Sequence, residues 1–184
     1  MRYFKLLDDV TIADRWHIGE VRNPDGGEPR LRFGIRQDVD TPLTADATSG
    51  QSLEFSLSSF AIPIASDSLA DAISTIAGTD VQALPVTVAG THRMKVLNAL
   101  RVVDCIDDAR CDSLKWTSRD HRSDLAGQYR QVTRLVLDSA SIPQQAHFFR
   151  LKNWMVALVV SAVVKAAMES QGCQGAKFSE LELS

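Results

Sequence analysis

Cysteine and histidine are scarce in this 184-residue chain, and their scarcity removes most of the chemistry that a short motif can announce. Cys105, Cys111 and Cys173 are an odd set without secretory context, so reduced thiols are expected rather than a disulfide framework. The Cys105–Cys111 spacing does not match a zinc knuckle, and no second Cys or His pair lies at ligand spacing nearby. The four histidines, His17, His92, His121 and His147, are scattered. None belongs to an HExxH pair, and no serine sits in a G-x-S-x-G elbow. Glycine-rich phosphate loops are missing too: Ser66 and Ser161 stand where helices should open, yet neither is preceded by glycines. No catalytic residue, metal ligand or cofactor site is expected.

Long apolar runs are also lacking. No charge-free stretch is longer than that of Asn153 to Val164, little more than half the ~20 residues a membrane helix needs. The start, MRYFKLLDDV, carries Arg2, Lys5 and Asp8 and has no apolar core or cleavage site of a signal peptide. The expected setting is soluble and cytoplasmic, without membrane insertion. The net charge of −3 excludes a strongly basic nucleic-acid binder. It hides an asymmetry. Residues 1–92 hold 7 Lys+Arg against 13 Asp+Glu, and residues 93–184 hold 13 against 10. Such a dipole would steer a basic partner to the first half; two ordinary solvated surfaces explain it equally well.

What is present is ordinary globular material: 45% hydrophobic and 23% charged residues. A chain of this size buries roughly 70% of its unfolded surface and needs no staple. Short strands are predicted over Arg2–Leu7, Trp16–Val21 and Leu31–Ile35, with Asn23-Pro24-Asp25-Gly26-Gly27 as a turn and Gln37–Gln51 as surface loop. Leu53, Phe55 and Leu57 alternate with polar residues as a half-buried strand, and Ile62–Ala65 is another. Ser66 or Asp67 opens a helix with Leu69, Ala72, Ile73, Ile76 and Ala77 on one face, which Gly78 ends. Val81–Val88 and Met94–Val103 form a predicted hairpin, with Pro85 demanding an edge or a bulge. Thr117–Gln128 reads as an exposed excursion, Arg130–Leu137 and Met155–Val160 as strands, Ser161–Gln171 as a helix ended by Gly172, and Ala176–Leu181 as the last strand.

The fold expected is α+β, a mixed, largely antiparallel sheet with two principal helices, as a single domain over 1–184. Ile62–Val88 and Val156–Leu181 share one layout: apolar strand, Ser, helix, Gly, strand. A degenerate duplication, with lobes 1–92 and 93–184, would explain this; so would the frequency of such units in any α/β chain.

Asp104, Asp107, Asp108 and Asp112 form the one dense acidic cluster, with Arg110 and Lys115 beside it. Counted from Asp104, an EF-hand loop would need an oxygen ligand where Ile106 stands and a glycine where Ala109 stands, so calcium does not fit. A solvated, partner-binding loop is the main reading, and a carboxylate pair with one raised pKa is the alternative. Arg15-Trp16-His17 combines residue types enriched at interface hot spots, and Trp116 leads into a polar loop. Both tryptophans also adjoin apolar strands, where a core role is as natural; Trp154 is expected in the core.

Three blocks carry a resemblance: Asp8–Gly19 (DDVTIADRWHIG), Leu97–Trp116 (LNALRVVDCIDDARCDSLKW) and Phe149–Phe178 (FRLKNWMVALVVSAVVKAAMESQGCQGAKF). In order, over almost the whole chain, they resemble the bacterial immunity proteins of polymorphic toxin systems, the myxobacterial-type family formerly held as a domain of unknown function. The resemblance implies a non-enzymatic cytoplasmic binder that occludes a cognate protein toxin. Partner contact is expected at Arg15, Trp16, His17, Asp104, Asp107, Asp108, Arg110 and Trp116. The alternative is a small-molecule-binding or hydrolytic domain that uses the Asp104–Asp112 loop.

Overall fold

The computed structural model describes all residues, 1–184, as fifteen short strands and two α-helices. In chain order these begin with β1 (Tyr3–Asp8), β2 (Ile18–Arg22), β3 (Leu43–Ala47), β4 (Phe55–Ser58), β5 (Ile62–Ala65), α1 (Asp67–Ala77), β6 (Val81–Val88) and β7 (His92–Ala99). The chain continues through β8 (Arg101–Val103), β9 (Asp112–Lys115), β10 (Tyr129–Arg134), β11 (Val136–Leu137) and β12 (Phe148–Leu151). It closes with β13 (Trp154–Ser161), α2 (Ala162–Ser170), β14 (Ala176–Glu180) and β15 (Glu182–Leu183). Two main sheets result, β2-β3-β6-β7-β5-β4 and β14-β1-β13-β12-β8, with two-stranded ribbons β9-β10 and β11-β15 beside them. Only β3-β6, β12-β8 and β11-β15 are parallel, so the α+β, mostly antiparallel expectation holds. No helix is long and apolar enough to cross a membrane.

Central strands such as β5, β12 and the second half of β13 are buried on both faces, so β5 and β13 read as nearly continuous apolar runs. Alternate residues point to opposite sides: Leu158 and Val160 enter the shared central core, whereas Ala157 and Val159 enter an outer one. In β7, Leu97 faces the centre and Val96 a second outer core around Trp16, Leu43 and Ile64. Helices α1 and α2 pack on each other and give Leu69, Ala70, Ile73, Ala77, Val164 and Met168 to the centre.

The repeated layout is real at the level of topology. In each unit the strand before the helix and the strand after it are parallel, with one antiparallel strand between them: β7 separates β5 from β6, and β1 separates β13 from β14. The division does not fall between 92 and 93. Strand β7 lies in the first sheet and β1 in the second, so the chain's first strand completes the unit built by its last residues. The physical reason is register: β1 pairs with β14 from Phe4–Glu180 to Asp8–Ala176 and with β13 from Tyr3–Ser161 to Lys5–Val159.

Several local expectations need correction. Leu31–Ile35 is a turn, because Gly34 takes φ +70 and side chains satisfy the neighbouring backbone. Asn98 donates to Ile35 O (2.9 Å), Gln37 N donates to Gln82 Oε1 (3.0 Å), and Gln82 Nε2 returns to Gln37 O (2.7 Å). The span read as loop, Gln37–Gln51, contains β3, whose Leu43 and Ala45 are buried beside β6. Pro85 lies one residue before β3 pairing begins at Val86, so an otherwise internal strand has no strand neighbour on that side where the N–H is missing. Trp154 is only half-buried, with Lys5 Nζ 4.6 Å from its ring centre.

The two helix starts differ in a testable way. Ser161 Oγ accepts from Val164 N (3.4 Å), whereas Ser66 makes no side-chain cap. Ser161→Ala therefore costs about 1 kcal/mol in denaturant unfolding and Ser66→Ala only a few tenths. Equal losses would show that the hydroxyl of Ser161 does not cap α2.

Candidate functional site

Arg15 and Trp16 are inside the protein, which corrects their reading as contact residues. The ring of Trp16 is 2% exposed, donates through Nε1 to Ser56 Oγ (3.0 Å) and stands edge-on to His92. Arg15 Nη2 donates to Asp8 Oδ1 (2.8 Å) and Nη1 to Asp9 O (2.9 Å). Of that triplet His17 alone reaches the surface. An arginine beside a tryptophan makes a hot spot and a buried anchor alike, and sequence does not separate the two.

The acidic loop is tied down and largely neutralised by its own neighbours. Asp104 pairs with Lys152 (2.8 Å), Asp107 with Arg110 (3.7 Å) and Asp108 with Lys115 (2.6 Å). Asp108 also accepts from the hydroxyl of Tyr129 (2.5 Å). Hydrogen bonds from Lys115 and then Tyr129 hold the Asp108 carboxyl below its usual range, the opposite of what a general acid requires. Exposed pairs of this kind add little stability. Backbone contacts fasten the loop to β11: Asp107 N donates to Val136 O (3.0 Å), and Val136 N donates to Cys111 Sγ (3.1 Å). An open hollow of about 400 Å³ along β9 and β10 includes Asp112 but none of the other three aspartates.

Cys105 is buried, and desolvation, with Asp104 and Asp138 adding to it, pushes its thiol up to about 12. Desolvation raises Cys111 and takes Cys173 to about 12 as well. In the native chain near pH 8, iodoacetamide should barely touch Cys105, and all three thiols should react after denaturation, because only the thiolate is nucleophilic. Rapid native labelling of Cys105 would contradict its burial.

One pairing with catalytic geometry was not visible in sequence. His147 Nδ1 lies 2.9 Å from Ser161 Oγ, and Asp80 Oδ2 accepts from His147 N (3.3 Å). Ser161 is fully buried and engaged in capping, and Asp80 is held by Arg101 Nε (2.5 Å), so the group joins helix, strand and loop rather than facing a substrate. No group of three or more His, Cys, Asp or Glu side chains comes together to hold a metal.

Trp116 is placed differently. It lines a groove of about 500 Å³ between the two sheets, formed by the 31–34 turn and Phe60 on one wall and by residues 116–130 and 153–156 on the other. The guanidinium of Arg130 lies 4.9 Å from the Trp116 ring centre, and that of Arg32 lies 4.5 Å from Phe60. Phe60 and Phe33 are 54% and 50% exposed. The missed signal was Arg30-Leu-Arg-Phe-Gly-Ile-Arg36, three arginines interleaved with an aromatic in an otherwise acidic half.

No curated protein matches the sequence. A family model, the immunity protein family Imm11, matches residues 51–182, more than two thirds of the chain. The match takes in both strand–helix–strand units, the Leu97–Trp116 block and the Phe149–Phe178 block, while Asp8–Gly19 precedes it. With the α+β fold, this makes the chain a member of the Imm11 immunity protein family, in the context of a toxin system.

Proposed function

We propose that the chain is a non-enzymatic immunity protein that acts in the cytoplasm, binds a cognate protein toxin and occludes the surface the toxin works with. The family match over residues 51–182 carries this reading. The locally paired acidic loop, with its Asp108 carboxyl held low, weighs against the ligand-binding or hydrolytic alternative that would use that loop. Occlusion needs no chemistry, only an interface of about 1,600 Å² with a few anchor residues. Of the residues expected at contact, Trp116 is the one we place at its centre. We assign the exposed Arg110, Asp104, Asp108 and His17 to its rim, where a partner would compete with the local ion pairs of the first three, with the half-buried Asp107 behind them.

Co-expression with the toxin encoded by the adjacent reading frame tests this. The expected result is restored growth, co-purification and inhibition that saturates at a one-to-one ratio with the toxin chemically unchanged. Undiminished toxicity with both proteins folded would overturn the reading, and sub-stoichiometric inactivation would replace occlusion with catalysis.

A further inference from the structure

The groove at Trp116 carries three arginines, Arg32, Arg122 and Arg130, among partly exposed aromatic rings. We propose that it docks an acidic loop of the toxin, with Phe60 and Trp116 as anchors and Arg32 facing its carboxylates, an assignment that rests on the toxin-binding reading. Phe60 has φ +62 and Ala61 φ +57, a conformation costly for a bulky side chain. The three-residue turn between β4 and β5 requires left-handed backbone, and Phe60 occupies it with its side chain 54% exposed. Across the groove Asn153 is likewise left-handed, at φ +63. Strain of this kind persists where the surrounding structure enforces it, and here it holds an aromatic ring outward at the rim.

Charge selects the occupant. No Asp or Glu lines the groove, and Arg32 stacks on Phe60 without a salt bridge, Glu20 and Glu28 lining the adjoining hollow on its other side. Behind the walls Arg150 is 0% exposed, donates to Met155 O (2.6 Å) and Ala61 O (2.7 Å), and leaves Nε unpartnered. Desolvation, then the like charge of Arg32, holds the Arg150 guanidinium down to about 10. A buried cation without a counter-ion makes the groove attract anions, and carboxylates arriving from a partner supply the missing charge. A protein loop fits better than a nucleic acid. Arg122 and Arg130 already have Asp124 (2.8 Å) and Asp120 (4.0 Å) beside them, which leaves too few free cations to follow a phosphate chain.

The test is calorimetric titration of the full-length protein with an active-site-inactivated form of the neighbouring toxin, at low and high salt. Arg32→Glu and Trp116→Ala should each weaken binding roughly tenfold or more, and salt should weaken the wild-type complex. Phe60→Gly should weaken it similarly while the melting temperature holds or rises, because glycine takes φ > 0 without strain; a merely structural role would move stability instead. Glu169→Lys, outside the groove, should bind as wild type. If wild type binds and the groove variants bind equally well, the docking assignment falls and the immunity reading stands. If wild type does not bind an authentic toxin, both fall. If a labelled oligothymidine binds wild type and is lost in Arg130→Glu while toxin binding persists, the groove is a nucleic-acid site and the assignment is overturned.

Discussion

Gly175→Ala lowers the melting temperature by roughly 10 °C, although it adds one methyl group. Gly175 sits at φ +98 where the turn after α2 meets strand β4, and a Cβ there would lie 2.0 Å from Phe55 O and 3.1 Å from Leu53 Cβ. The obstructing atom is backbone, and Phe55 N is itself bonded to Gln174 O (3.1 Å), so the strand has no room to retreat. Left-handed strain of ~1–2 kcal/mol and overpacking of ~1–3 kcal/mol add to about 3 kcal/mol. Gly172→Ala is the control. It has φ +66 with nothing within 4 Å of a new Cβ, so it shows the strain without the collision. Thermal unfolding followed by circular dichroism reads both. Equal shifts for the two variants would show that β14 and β4 are not in contact through Gly175.

Asp8→Ala is expected to cost about 2–3 kcal/mol, discounted from the ~3–5 typical of a broken buried pair because Asp8 is partly wet. The Asp8 carboxylate accepts from Arg15 Nη2 (2.8 Å) and from Leu57 N (2.7 Å), joining the end of β1 to β4. Side-chain exposure is 3% for Arg15 and 22% for Asp8, so truncation strands a buried guanidinium and a backbone donor together. Both donors share Oδ1, so Asp8→Asn keeps the accepting oxygen while losing the charge and should lose about half as much. Urea unfolding separates the two. If Asp8→Asn proves as damaging as Asp8→Ala, the charge dominates over the hydrogen bonds.

The elements legible in sequence were those with strong local chemistry. Both helices, with Gly78 and Gly172 at their ends, and the β6–β7 hairpin are set by periodicity and by residues that tolerate φ > 0. Strand β3 was illegible because its five residues, Leu-Thr-Ala-Asp-Ala, carry one large apolar side chain and owe their state to β6 and β2. The 31–34 turn misled because Leu31 and Ile35 look strand-like, whereas Asn98 and Gln82, far away in sequence, hold the backbone there. The contact residues divide the same way. Trp116 was visible as a type, but its partners Arg32 and Phe60 meet it only when two sheets close, and no spacing rule reports such a meeting.

The insertion of β1 between β13 and β14 has a kinetic side. Strand β1 must wait for partners made much later: Phe4 pairs with Glu180, and Tyr3 with Ser161. Loop closure of that length delays nucleation, so folding should be slow for the chain's size and cannot close this sheet before β13 and β14 have been made. Until then β1 is an unpaired apolar strand, open to chaperones and to misassembly with another copy. The same arrangement opposes stepwise unravelling, since β1 is held by a strand on each side and cannot leave without breaking both ladders. Protection built this way arrives late in each molecule's life and is then lost only all at once.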